Sequence, residues 1–220
     1  PFTTPTLSMD PRLPLLVDMR SYSSAGVTGT QPTLAASYIG TANGTGASSS
    51  AKIGTQLFYS KIDSPLVYLT YSEAKFMEAE AQFILAGGTA TSTGSNAAAY
   101  AAYKAGITAN MDKIGVATAD KTAYLADTSI DKGASALELK DIMRQKFIAL
   151  FLNPETFTDY RRYDFSSNAF KNLKIPVNTD PVNGGKWMRR IVYSTNERSA
   201  NAANYSANFK PMITPVWWDK

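Results

Sequence analysis

Between Thr70 and Phe165 apolar residues return every three or four positions in successive stretches, each bounded by start and stop signals, and this pattern dictates a frame of α-helices. In "SEAKFMEAEAQFILAGG" (72–88) Ser72 is the expected N-cap, Glu73 lies in the first turn and Gly87-Gly88 is the stop. Met77, Ala81 and Ile84 recur at i, i+4 and i+7 with Phe76 and Phe83 beside them, which predicts one packed face. In "NAAAYAAYKAGITANMDKIG" (96–115) Tyr100, Tyr103, Ile107, Met111 and Ile114 form a core stripe, and Gly115 stands at the C-cap. The alanines there permit close approach of a neighbouring helix.

"SALELKDIMRQKFIALFLN" (135–153) predicts a third helix, with a capping box in Ser135 and Glu138 and with Leu139, Met143, Phe147 and Leu150 on one side. Asn153-Pro154 then reads as the N-cap and first position of a fourth, "NPETFTDYRRYD", joined by a short corner. The segment looks like two helix pairs. The flanks differ: residues 1–69 are too rich in Gly and Pro for a long helix, and from 166 onward four prolines and an Asn-Gly-Gly turn break the pattern. There "KWMRRIVY" is expected as a short strand in a hairpin with "LKIPV", and everything after Ser194 as ordered coil.

The chain has no cysteine and no histidine. Without cysteine there are no disulfides, thiolate nucleophiles or Cys-based metal sites. Without imidazole there is no Ser-His-Asp triad, Cys-His pair, H-E-x-x-H site or histidine proton shuttle. Carboxylates, Lys, Tyr and Ser are left for acid–base work. The net charge is +4, and the doublets Arg161-Arg162 and Arg189-Arg190 stand apart with no long basic run to follow a phosphate backbone, which argues against a nucleic-acid partner. No stretch reaches the roughly 18 consecutive apolar residues of a membrane span. The chain begins at Pro1, and we expect it to be processed or part of something longer.

Several phrases together, "DPRLPLL", "SYIGTANG", "PLVYLTYSEAKFMEAEAQFILAGG", "IMRQKFIALFLNPETFTDYRRYD", "RRIVYSTNERSANAANY" and "PVWWDK", resemble in order the C-terminal half of the SusD/RagB-like outer-membrane nutrient-binding lipoproteins. The resemblance implies tetratricopeptide-like helical pairs with an irregular lobe packed on them. The expected fold is therefore mainly α, with a loop-rich lobe (1–69), helical pairs (70–165), an irregular C-terminal lobe (166–220) and at most short strands. It further implies a protein lipid-anchored on the extracellular face of the outer membrane, capping a SusC-like TonB-dependent transporter and capturing oligosaccharides, or peptides in some members, without catalysis. The family's lipobox cysteine and N-terminal helices are absent from this chain, so the anchor is expected on a missing N-terminal segment. No cofactor or metal is implied.

A sugar site needs an aromatic face for the apolar side of a pyranose ring and amides, hydroxyls or arginine around its rim. Tyr22, Tyr38, Asn43 and Tyr59 on loops of the first lobe, and Trp187 after the Gly184-Gly185 turn, are the candidates. Each also has a packing role open to it. Glu73, Glu78 and Glu80 could be read as glycosidase carboxylates, but Glu80 lies four residues from both Phe76 and Ile84. It is expected as a buried partner for Arg144, Arg161 or Arg162. Of Trp217 and Trp218, at least one is expected to anchor the terminus.

Overall fold

A computed structural model describes residues 9–18, 38, 40–45 and 50–219. The chain forms two compact units, one of residues 1–41 and 46–153, the other of residues 42–45 and 154–220. Among the described residues the regular structure is helical. No strand forms, and pairing is limited to the isolated bridges Asp18 to Lys52 and Thr93 to Glu138.

The first unit holds α1 (Leu13–Leu16), α2 (Tyr71–Leu85), α3 (Ala97–Ile114), α4 (Thr118–Ala126) and α5 (Leu139–Ala149). Thr70 caps α2 in place of Ser72, because its Oγ1 accepts from the Glu73 N–H at 3.1 Å while Ser72 is already helical and buried. Gly87, at φ +85°, and Gly88 close the helix onto the carbonyls of Ile84 and Phe83. The buried face is Ser72, Phe76, Ala79 and Phe83, whereas Met77 and Ile84 are 44% and 51% exposed, so the expected stripe is rotated by one position.

α3 supplies the reason for that rotation. Ala99, Ala102 and Gly106 are buried along it, and the Phe76 ring occupies the space a side chain at Gly106 would need. A large ring fits only opposite small residues, so the α2 face is chosen by α3. Asn96 caps α3 through the Ala99 N–H at 2.7 Å, and Gly115, at φ +82°, ends it. Tyr103, Ile107, Met111 and Ile114 are buried as expected, but Tyr100 is half-exposed and donates its hydroxyl to Asp131.

The short α4 was not foreseen; it has no side-chain cap and buries only Tyr124. α5 begins later than the sequence suggests, with Glu138 as N-cap in a capping box with Asp141, while Ser135 lies in a separate 3₁₀ turn. The fully buried Leu137 separates the two turns, so Ser135 is out of reach of the helix it was expected to cap. Leu139, Met143 and Leu150 are buried and Phe147 is 38% exposed.

At the centre of this unit the turn carrying α1 is clamped by a buried polar network. The Arg12 guanidinium donates to Asp10, to Asn110 Oδ1 at 3.1 Å on α3, to the Tyr124 hydroxyl at 3.1 Å on α4 and to Gln145 Oε1 at 2.7 Å on α5. One fork of planar donors thus ties three helices to the "DPRLPLL" turn. Glu80, also buried, has its carboxylate 3.7 Å from Lys146 Nζ on α5, so a lysine takes part in holding it.

In the second unit α6 spans Glu155–Arg162, with Pro154 at the cap one residue later than Asn153. The hairpin of "KWMRRIVY" with "LKIPV" does not form. The Arg189 and Arg190 N–H groups both go to the Met212 carbonyl, and the Val177 N–H goes to the Asn43 carbonyl. The expected coil after Ser194 contains α7 (Thr195–Ala200) and α8 (Ala202–Asn208), started by Ser194 accepting from the Glu197 N–H.

Candidate functional site

The five sequence candidates fall in different places. Tyr22 lies outside the described residues, and Tyr38 is half-buried in the first unit. Tyr59, also there, is half-buried between Phe58 and Phe151, with ring centroids at 4.8 and 6.1 Å. Its hydroxyl accepts from Lys113 Nζ at 2.7 Å, and that ammonium also sits 5.3 Å from the ring centre. Burial raises the Tyr59 pKa and lowers that of Lys113, where Glu73 pulls the other way, so the contact favours a neutral phenol against a partly desolvated cation.

Beside it an open groove of about 550 Å³ runs along α3, lined by Tyr71, Ala105, Thr108, Ala109, Asp112 and Lys113. It has an aromatic wall, a floor of small residues and a charged rim. Asp112 is held there by Lys121.

Asn43 belongs to the second unit, where it latches a loop. Its Nδ2 donates to the Lys174 carbonyl at 3.1 Å, its carbonyl accepts from Val177, and Asn178 returns a bond to the Gly44 carbonyl at 2.9 Å. Gly44 is required at φ +84°, since a Cβ there would meet Pro176 and the Val177 nitrogen at 2.9 Å.

Trp187 is half-buried and lies parallel to Phe165, with centroids 4.7 Å apart and 7° between planes. Phe165 is itself held by Phe157 and Tyr160 of α6, and the Arg189 guanidinium stands 5.4 Å from its centre. Arg189 is bound to Asp164 and Asp219, the latter fully buried. Arg161 lies between the faces of Phe157 at 4.3 Å and Trp218 at 4.5 Å, and donates to the Arg189 carbonyl at 3.1 Å. Sequence reasoning named Trp187 but missed the Phe165 ring stacked on it and the arginine beside that ring. The close spacing of aromatic and arginine residues in "TFTDYRRYDF" is the signal that could have found them.

Trp218 is the anchoring tryptophan, and Trp217 is 87% exposed. The assembly is a cluster of packed rings interleaved with arginines that bond to Asp164, Asp219 and the Arg189 carbonyl. Such a surface can bind flat, partly apolar ligands.

Among the described residues no helix is long and apolar enough to cross a membrane, and no group of three or more Asp or Glu side chains is placed to hold a metal ion. No curated protein matches the chain. A solved structure titled "chitin-binding protein" superposes with a TM-score of 0.66 at 23% sequence identity, covering 96% of this chain and 47% of that one. The chain therefore shares that fold and spans about half of the solved chain's length. The model of the family described as SusD-like, "starch-binding associating with outer membrane", matches residues 6–193. That match covers α1 through α6, the buried Arg12 network and the Trp187 stack, and the chain belongs to the SusD-like family.

Proposed function

We propose that this protein captures oligosaccharides at the outer face of the outer membrane, without cutting them, and passes them to a SusC-like TonB-dependent transporter. The family match carries the reading, and the fold and the printed name of the solved neighbour support it. In the full protein a lipid anchor would hold the chain at the membrane. Trp187 is the first residue to test as a ligand contact, because its ring is held flat by Phe165 and remains partly exposed. Tyr38 and Tyr59 are further aromatic contacts, and Asn43 acts by positioning its loop.

The state of the carboxylates supports binding over catalysis. A glycosidase acid must keep its proton near neutral pH, which takes a raised pKa. Two carboxyls among the described residues move the other way. Asp131 is held down by hydrogen bonds from Tyr100 and Lys104, and at Glu138 burial pushes upward but Lys140 and Lys132 outweigh it.

The test is calorimetric titration of the full-length protein with maltooligosaccharides, chito-oligosaccharides and peptides, paired with pull-down of the transporter. Saturable glycan binding with transporter co-purification is the expected result. Binding of peptides alone would move the protein to the peptide-capturing branch of the family, and glycan turnover would overturn the reading.

A further inference from the structure

The closing segment is pinned at many points. Met212 accepts from the backbone of Arg189 and Arg190, and the Arg190 guanidinium donates to the carbonyls of Thr214 and Pro215 at 2.9 and 2.8 Å. The Asp219 N–H closes a turn onto the Val216 carbonyl at 3.0 Å, and its buried carboxylate is bound to Arg189. Trp217 and Trp218 are therefore the two central residues of a four-residue turn whose ends cannot move freely.

The two indoles take opposite fates. Trp218 goes down onto Arg161, while Trp217 stands in solvent at 87% exposure. A tryptophan free to fold back would cover some of its apolar surface, because burying a large ring is favourable. Here the turn is tied at both ends, and the indole presents a large flat apolar face to solvent. A ligand that stacks on it pays little ordering entropy, which is the condition for useful affinity from a single ring.

We infer that Trp217 is a stacking platform for a pyranose ring of the captured glycan, a contact point separate from Trp187. The occupant is a sugar because the ring's axial C–H groups make one flat apolar surface matched to an indole, while its equatorial hydroxyls stay hydrated at the rim. This inference rests on the glycan-capture reading above.

The experiment uses the full-length protein, with maltoheptaose and chitohexaose as probes. Calorimetry compares wild type with Trp217→Ala and Trp217→Phe, and iodide quenching of tryptophan emission is followed with and without saturating probe. For at least one probe, Trp217→Ala is expected to weaken binding about tenfold or more and Trp217→Phe less than that. Wild-type emission should lose much more of its iodide accessibility on binding than the emission of the Trp217→Ala protein. Unfolding midpoints of all three proteins should agree, since the ring makes little contact with the fold. Full affinity in Trp217→Ala, with wild type binding normally, overturns the platform and leaves glycan capture standing. If wild type binds no member of a broad glycan panel, both fall.

Discussion

Asp10 and Arg12 form a two-pronged ion pair with both side chains fully buried, Nε meeting Oδ1 at 3.0 Å and Nη2 meeting Oδ2 at 2.7 Å. Burial works against the guanidinium charge, but Asp10 and Tyr124 together outweigh it and the Arg12 pKa is raised, so the guanidinium keeps its charge. Such a pair is costly to break from one side, because the survivor is left charged and unsolvated. Arg12→Met is predicted to destabilise the protein by about 3–5 kcal/mol. Adding Asp10→Leu should recover part of that loss, as urea denaturation of the three proteins would show.

Glu80→Ala removes the carboxylate beside Lys146 inside the first unit. Losing the opposite charge beside a buried ammonium should cost about 2–4 kcal/mol of stability. Glycan affinity of the folded fraction should be unchanged. A melting curve and a titration on the same sample separate these effects, and lost affinity at full stability would assign Glu80 to the site.

Gly106→Ala sets two effects against each other. Alanine gains about 1 kcal/mol in helix propensity over glycine. Its Cβ, however, would lie 2.9 Å from two atoms of the buried Phe76 ring. Overpacking of this kind costs about 1–3 kcal/mol, so the net change in unfolding free energy should be destabilising. Trimming the ring in a Gly106→Ala/Phe76→Leu double variant should relieve part of the clash.

Alkaline pH should unfold the chain through its tyrosines. Burial pushes Tyr124, Tyr100 and Tyr160 up to about 12 from 10, and Tyr103 is also raised. The folded state therefore favours the protonated phenols. Their contribution is complete below pH 10 and is lost as pH climbs from 10 through about 12. For the fully buried Tyr124 the shift corresponds to about 3 kcal/mol at roughly 1.4 kcal/mol per pH unit. Absorbance at 295 nm and far-ultraviolet circular dichroism should show late ionisation coinciding with loss of helix.

The helical frame was legible because α2, α3 and α5 each carry local period and punctuation. What the sequence misplaced depended on partners far along the chain. Met77 and Ile84 are as well spaced as Phe76, Ala79 and Phe83, and only the small residues of α3 decide between the two faces. The Arg12 network joins positions 98, 112 and 133 residues away, which no local pattern reveals. α7 was missed because its Asn, Ser and Ala content resembles coil, although Ser194 and Glu197 stand at capping-box spacing. Trp187 was picked by residue type and turn, but its support by Phe165 was hidden for the same long-range reason.

The central claim is that a rigid helical frame and pinned aromatic loops grip a glycan without breaking it. Its most direct test is prolonged incubation of the full-length protein with the oligosaccharide it binds most tightly, followed by mass spectrometry of the recovered sugar. The account predicts full recovery of uncut ligand from a saturable complex. Accumulation of shorter oligosaccharides in proportion to protein and time would contradict it.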